Sequence, residues 1–387
     1  MELYIHLPFC RRKCRYCDFA SYAGQEGLMH TYVDALLDEA ARQSSYYAGL
    51  YGHPLRMETV FLGGGTPSLL PPEELRRLLS GLRDVFDIAP DAEFTSEANP
   101  GTLSSAWLDA AVAGGVNRLS LGMQAYQPSL LETLGRIHDF PQVEASVRMA
   151  RTAGIHNLSL DLMFGLPGQA AAMWRDTLDA ALSLSPTHLS CYGLIPEEGT
   201  PLKRDLDAGV LSLPEEDTER QMYDDTLTIL GRHGFEQYEI SNFALPGYAC
   251  MHNLGYWRQV PYLGLGASAA SCMDEQDGSA YVRASNPPGL QDYLDMVQRG
   301  DWQARTVEPI SPRDALFETM MLGLRTTQGV SEEAFLRMHG KCVDAVYGEK
   351  LRMLEAQGLL QHADGFWRLT RHGMDVQNSV LVTLMDD

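Results

Sequence analysis

The sequence predicts an α/β fold: a partial (β/α)6 barrel with a C-terminal winged-helix-like α+β domain. Three observations predict it. Six apolar, strand-like segments alternate with segments of helical spacing over the first half of the chain, which implies parallel strands with outer helices. The polar residues of that half fall at the C-terminal ends of the strands, where such barrels do their chemistry. After two proline-rich breaks, three helical stretches and a hairpin close the chain. The expected division is 1–235 for the barrel, 236–308 for an accessory segment and 309–387 for the C-terminal domain.

The elements follow in order. Residues 3–9 are apolar and strand-like, and 28–47 have helical spacing. Residues 58–62 form a strand ending in Gly63-Gly64-Gly65, and Pro71-Pro72-Glu73 opens a helix to about Phe86. Strands at 93–97, 118–121, 158–164 and 188–194 are followed or interleaved by helices at 104–113, 142–153 and 170–184. Strands five and six are largely apolar, as expected when both faces are covered. A helix at 215–233 precedes a strand-like 238–243 and a Gly-rich, aromatic stretch at 256–270. Beyond Asn286-Pro287-Pro288-Gly289 and Pro309–Pro312 come helices at 313–324, 331–338 and 343–357. A hairpin at 359–369 follows, with its turn at Ala363-Asp364-Gly365.

The chain has 387 residues and a formal net charge of −21. Phosphate contacts need clustered Lys and Arg, so bulk charge opposes nucleic-acid binding. The winged-helix-like tail does not rescue it: residues 306–387 hold 8 Lys and Arg against 12 Asp and Glu. No cationic-then-apolar leader and no 18-residue apolar run is present, and cytoplasmic placement is expected.

Cys10, Cys14 and Cys17 are spaced C-x3-C-x2-C directly after the first strand. Three thiolates on one short loop can hold three irons of a [4Fe–4S] cluster and leave the fourth iron open to a small molecule. Zinc is the alternative, with His6 completing H-x3-C-x3-C-x2-C. A disulfide knot is the weaker one, because the 7 cysteines are odd in number and Cys191, Cys250, Cys272 and Cys342 are scattered. Arg11, Arg12, Lys13 and Arg15 inside the loop would stabilise an anionic cluster and steer an acidic donor, or form a solvated basic turn.

These cysteines, with Tyr4-Ile5-His6-Leu7-Pro8-Phe9, Gly63-Gly64-Gly65-Thr66-Pro67, Glu97-Ala98-Asn99-Pro100, Gly122-Met123-Gln124 and Asp161-Leu162-Met163-Phe164-Gly165-Leu166-Pro167, resemble the radical S-adenosylmethionine (SAM) superfamily. Within it they resemble the branch of the oxygen-independent coproporphyrinogen III oxidases (HemN), over essentially the whole chain. The true oxidases carry a fourth cysteine, where this chain has Phe19, and a segment before the first strand. Both departures, and His252-Asn253-Leu254-Gly255-Tyr256-Trp257 matching an H-N-x-x-Y-W motif, point to the HemW heme-chaperone family.

The resemblance implies a partial radical SAM barrel and a [4Fe–4S] cluster on Cys10, Cys14 and Cys17. It implies SAM on Tyr4, Gly64, Gly65, Thr66, Glu97, Gln124, Arg136 and Asp161, and heme with His252 as candidate ligand and Cys250 as a nearby alternative. It also implies transfer to an acceptor hemoprotein or respiratory-chain protein, a small electron donor such as a flavodoxin, peripheral membrane association and a homodimer. Oxidative decarboxylation of coproporphyrinogen III is the competing function.

Overall fold

The computed structural model describes residues 1–276 and 280–385. Its centre is a 12-stranded sheet. The six barrel strands are β1 (Glu2–Leu7), β2 (Arg56–Gly64), β3 (Asp87–Ala98), β4 (Arg118–Gln124), β5 (Asn157–Phe164) and β6 (His188–Gly193). They pair in sequence order, each parallel to the next. Parallel neighbours require a crossover, and helices supply it.

The period-2 pattern sorts the side chains. On β1, Leu3, Ile5 and Leu7 are buried toward the outer helices, while Tyr4 and His6 face the lumen. On β5, Leu158, Leu160 and Leu162 face outward, and Ser159 and Asp161 inward. Both faces are covered, as expected, but the inner covering is polar. That lumen is where the functional side chains collect.

The helices form for local reasons. Pro72–Val85 starts with proline, carries Glu73 and Glu74 in its first turn and Arg83 in its last, and so matches its dipole. Its Leu75, Leu78, Leu79 and Leu82 recur at one-face spacing and are buried. Each such burial contributes about 1.5–3 kcal/mol. Phe140–Thr152 opens with a capping box between Asp139 and Gln142.

The structure departs from the expectation in the middle of the chain. The stretch at 238–243 is not one strand. Glu236–Gln237 and Asn242–Ala244 flank a turn held by the buried Glu239 carboxylate, which accepts from Ser241 N at 2.8 Å and Asn242 Nδ2 at 2.6 Å. The HNxxYW residues lie on a helix, Met251–Trp257. Tyr262–Leu265 then adds a further parallel strand beside β1, and Ala270–Met273, Tyr281–Ser285 and Thr306–Ile310 extend the sheet antiparallel. The accessory segment is therefore an extension of the barrel sheet.

The C-terminal domain has its own core around Met320, Leu324, Phe335, Leu351 and Trp367. Helices Pro312–Gly323, Glu332–His339 and Val343–Ala356 pack with a three-stranded antiparallel sheet. The hairpin Leu360–Ala363/Phe366–Leu369 turns at Asp364-Gly365, both with positive φ (54° and 76°), as a two-residue hairpin turn requires. Two further helices, Arg371–Asp375 and Gln377–Met385, were not expected. The domain is tied to the rest by Arg325–Glu239 at 2.9 Å and Arg283–Glu318 at 2.9 Å.

Candidate functional site

The cysteine loop begins where β1 ends. A short parallel pair, Phe9–Cys10 with Tyr22–Ala23, closes its base. Arg15 N donates to Leu134 O at 3.0 Å, and the Arg15 guanidinium pairs with Asp205. Arg11, Arg12 and Lys13 are exposed, so of the four cations Arg15 alone is committed to an ion pair inside the loop region. Phe19, where a fourth cysteine would stand, is 63 % exposed.

A chain of hydrogen bonds joins two of the cysteines. Thr66 Oγ1 donates to Cys10 Sγ at 3.6 Å, and Asn99 Nδ2 donates to Thr66 Oγ1 at 2.7 Å. Arg136 Nη2 donates to Asn99 Oδ1 at 2.6 Å and to Gly122 O at 2.7 Å, and Arg136 Nη1 donates to Cys14 Sγ at 3.5 Å. Arg136 was expected to grip a carboxylate with two parallel bonds. Here three of its five N–H groups are spent on Cys14, Asn99 and Gly122, which leaves two for any ligand. Donors aimed at sulfur suit a thiolate. Burial raises the Cys10 and Cys17 thiols, which favours their neutral form while no metal is bound.

The zinc alternative fails on geometry. His6 Nε2 donates to Ala20 O at 2.8 Å, which leaves Nδ1 to accept from Tyr4 OH at 3.0 Å. Neither ring nitrogen is left for a metal. The cysteines are free thiols, which also disposes of the disulfide knot.

The glycines are demanded by this packing. A Cβ on Gly65 would stand 2.7 Å from Phe9 O and 2.8 Å from Leu7 O, and Gly65 N donates to Leu7 O at 2.9 Å. Gly64 has φ +103° and would drive a Cβ within 2.4 Å of the His6 ring. The expected role was close approach to a ligand. The observed one is close approach of the β2 end to the cysteine loop, which leaves Gly64 N–H donating to Glu97 Oε2 at 3.1 Å.

Glu97 and Asp161 face each other across the lumen mouth. Burial, and then the charge of Asp161, pushes Glu97 up to about 7. Burial also raises Asp161, against hydrogen bonds from Ser190 and from Ser120 Oγ at 3.0 and 3.1 Å. Asp161 is held by two serines, whereas Glu97 accepts one backbone N–H and keeps capacity for a further donor. Gln124 reaches the same mouth through a bulge: the β4–β5 register shifts between Leu121 and Gln124, and Gln124 takes φ 63°. Tyr4 stacks on Phe61 at 6.2 Å beside Gly63.

His252 is placed differently. It is 1 % exposed, on the lumen floor. Its Nδ1 bonds Thr59 Oγ1 at 2.7 Å, its Nε2 bonds Tyr256 OH at 3.0 Å, and its ring stacks on Phe61 at 5.1 Å. Burial and the neighbouring Arg118 drop it to about 3. Both ring nitrogens therefore bond hydroxyls within the protein, and the ring is buried. Cys250 is fully buried, with its thiol donating to Glu93 Oε1 at 3.4 Å.

Sequence reasoning missed Asn99 as the link between Thr66 and Arg136, although it sits inside a quoted motif. It also missed Glu93, whose carboxylate accepts from Met251 N and His252 N, both at 3.1 Å, and so caps the motif helix from a distant strand. Gly255 within the motif has a cause too: its Cβ would lie 1.5 Å from Glu2 Oε1.

Comparison with known proteins agrees with this geometry. The radical SAM superfamily matches residues 4–181, and the HemN C-terminal domain matches residues 310–376. The heme chaperone HemW of Bacillus subtilis is 36 % identical, over 97 % of both chains. That of Escherichia coli is 34 % identical, over 98 % of this chain and 97 % of its own. The mouse radical S-adenosyl methionine domain-containing protein 1, mitochondrial, is 33 % identical over 99 % of this chain and 87 % of its own. In fold, the chain matches the solved coproporphyrinogen III oxidase HemN of Escherichia coli with a TM-score of 0.83, at 23 % identity, over 99 % of this chain and 89 % of that one. A barrel of radical SAM type, a HemN-like C-terminal domain and full-length similarity to the chaperones together place the chain in the HemW family of radical SAM proteins.

Proposed function

We propose that the protein is a heme chaperone that carries a [4Fe–4S] cluster and SAM and passes heme to an acceptor hemoprotein, a respiratory-chain protein among them. The observation that carries the cluster part is the Cys10–Thr66–Asn99–Arg136–Cys14 network, which orients two thiols with donors on their sulfurs. Cys10, Cys14 and Cys17 hold the cluster. When bound, its thiolate-free iron supplies a coordination position for the amino and carboxylate groups of SAM. Around it, Glu97 and Asp161 accept from cationic and hydroxyl groups of SAM. Tyr4, Gly64, Gly65, Thr66 and Gln124 form the wall, and the two uncommitted N–H groups of Arg136 meet a carboxylate.

The heme part is supported by the full-length relatives named heme chaperones. His252 acts in it by position, holding Tyr256 and the motif helix. The exposed Arg11, Arg12 and Lys13 make a docking face for an acidic electron donor, such as a flavodoxin, on an otherwise acidic chain. No helix among the described residues is long and apolar enough to cross a membrane, and we place the protein in the cytoplasm.

The test is reconstitution with iron and sulfide, followed by heme titration and transfer to an apo-hemoprotein. The expected result is one [4Fe–4S] cluster and saturable heme uptake per chain, with no protoporphyrinogen from coproporphyrinogen III, reductant and SAM. Porphyrinogen turnover without heme uptake would replace this reading with the oxidase.

A further inference from the structure

The chaperone reading leaves open where heme sits, since His252 is used up on the lumen floor. The molecule holds a cavity of about 640 Å³ between the accessory strands and the C-terminal domain. That is within the roughly 300–1,000 Å³ range of ligand pockets. Its walls carry the aromatic rings of Tyr256, Trp257, Tyr262 and Tyr281, and Met321 and Met338 reach it from the C-terminal domain. Flat aromatic walls and thioethers suit a planar apolar macrocycle.

One row of side chains crosses the sheet at this cavity. Tyr262 pairs with Cys272, and Cys272 pairs with Arg283. Cys272 is a free, partly exposed thiol, and all three residues line the cavity. Arg283 is held at 2.9 Å by Glu318 and at 3.3 Å by Glu308.

We propose that heme is carried in this cavity with the Cys272 sulfur as an iron ligand. The proposal rests on the chaperone reading. On binding ferric heme, an iron–sulfur bond forms and the thiol proton leaves to solvent, with no change of oxidation state. The propionates compete with Glu318 and Glu308 for Arg283. The cavity walls belong to two parts of the chain, so they can separate for release without either unfolding. The HNxxYW motif then has a consistent use: Tyr256 and Trp257 form the wall, and His252 is a positioning residue. It holds the Tyr256 hydroxyl, and the Tyr256 ring in turn packs edge-on against Tyr262 at 4.7 Å.

The experiment compares the wild type, Cys272→Ser and Met321→Trp as full chains loaded with cluster. Heme titration is read by optical and electron paramagnetic resonance spectra, with cluster content and SAM affinity as checks on folding. The expected result is a thiolate-type heme spectrum in the wild type. Cys272→Ser loses it with at least about a tenfold weaker affinity, and Met321→Trp lowers heme uptake by filling the cavity. Both variants keep cluster and SAM. Heme bound equally well by both variants with an unchanged spectrum would overturn this site and leave the chaperone reading standing. A wild-type protein that takes up no heme would overturn both.

Discussion

The mouth and the floor of one barrel hold the same kinds of side chain in opposite conditions. At the mouth, Glu97 receives one backbone N–H, Arg136 keeps two N–H groups in reserve, and three free thiols share a loop. On the floor, His252 and His188 each use both ring nitrogens inside the protein, His188 with Ser159 Oγ at 2.8 Å and Tyr238 OH at 2.8 Å. The mouth therefore has spare bonding capacity for a ligand, and the two floor histidines have none. A motif histidine and a motif cysteine look equally ligand-like in a sequence. Only the neighbours decide which one has a free valence.

The largest expected effect lies at the mouth. Cys14→Ala should abolish the cluster outright, read as loss of the iron–sulfur absorbance after reconstitution. It should leave the apo fold in place, because Cys14 is partly exposed and contributes one sulfur hydrogen bond. Gly64→Ala comes next. Its positive φ and its 2.4 Å approach to His6 predict a loss of about 1–3 kcal/mol in denaturant unfolding, together with the cluster. His252→Ala tests the floor. It leaves the Thr59 and Tyr256 hydroxyls unpaired and should cost about 1–3 kcal/mol, while cluster and SAM binding persist. A variant of unchanged stability that lost the cluster would reverse the comparison.

The fourth test uses pH. Glu97 is raised from 4.5 to about 7, so its ionised form is disfavoured in the free protein. The apo fold should lose stability as pH rises from about 4.5 through about 7, and none of that penalty is present below. A bound SAM cation favours the carboxylate. SAM affinity should then rise through the same window and level off above it, and Glu97→Gln should flatten the profile. The smallest effect is expected at Phe19, which is exposed: Phe19→Cys should move stability by less than about 0.5 kcal/mol and confer no porphyrinogen oxidation.

The barrel was legible because its strands are short apolar runs with functional residues at one end, a pattern that survives in one dimension. The Asp364-Gly365 hairpin was legible for the same reason, since the turn needs those residues locally. The motif helix Met251–Trp257 was not. Its N-terminus is capped by Glu93 and its packing depends on Glu2, both far away in sequence. The strands at 262–310 were lost too: each is only four or five residues long, too short for a clear period, and is fixed by its register on a neighbour. The motifs name the site residues by type, but not the contacts those residues make with one another. Arg136 and the glycines brace the cysteine loop, an assignment that needs distances.

The central claim is that the mouth holds a four-iron cluster with one iron left for SAM. Electron paramagnetic resonance of the reduced, reconstituted protein, with and without SAM labelled in its amino group, tests it most directly. The account predicts a changed cluster spectrum and a hyperfine coupling to the labelled nitrogen. An identical spectrum with no coupling would contradict it.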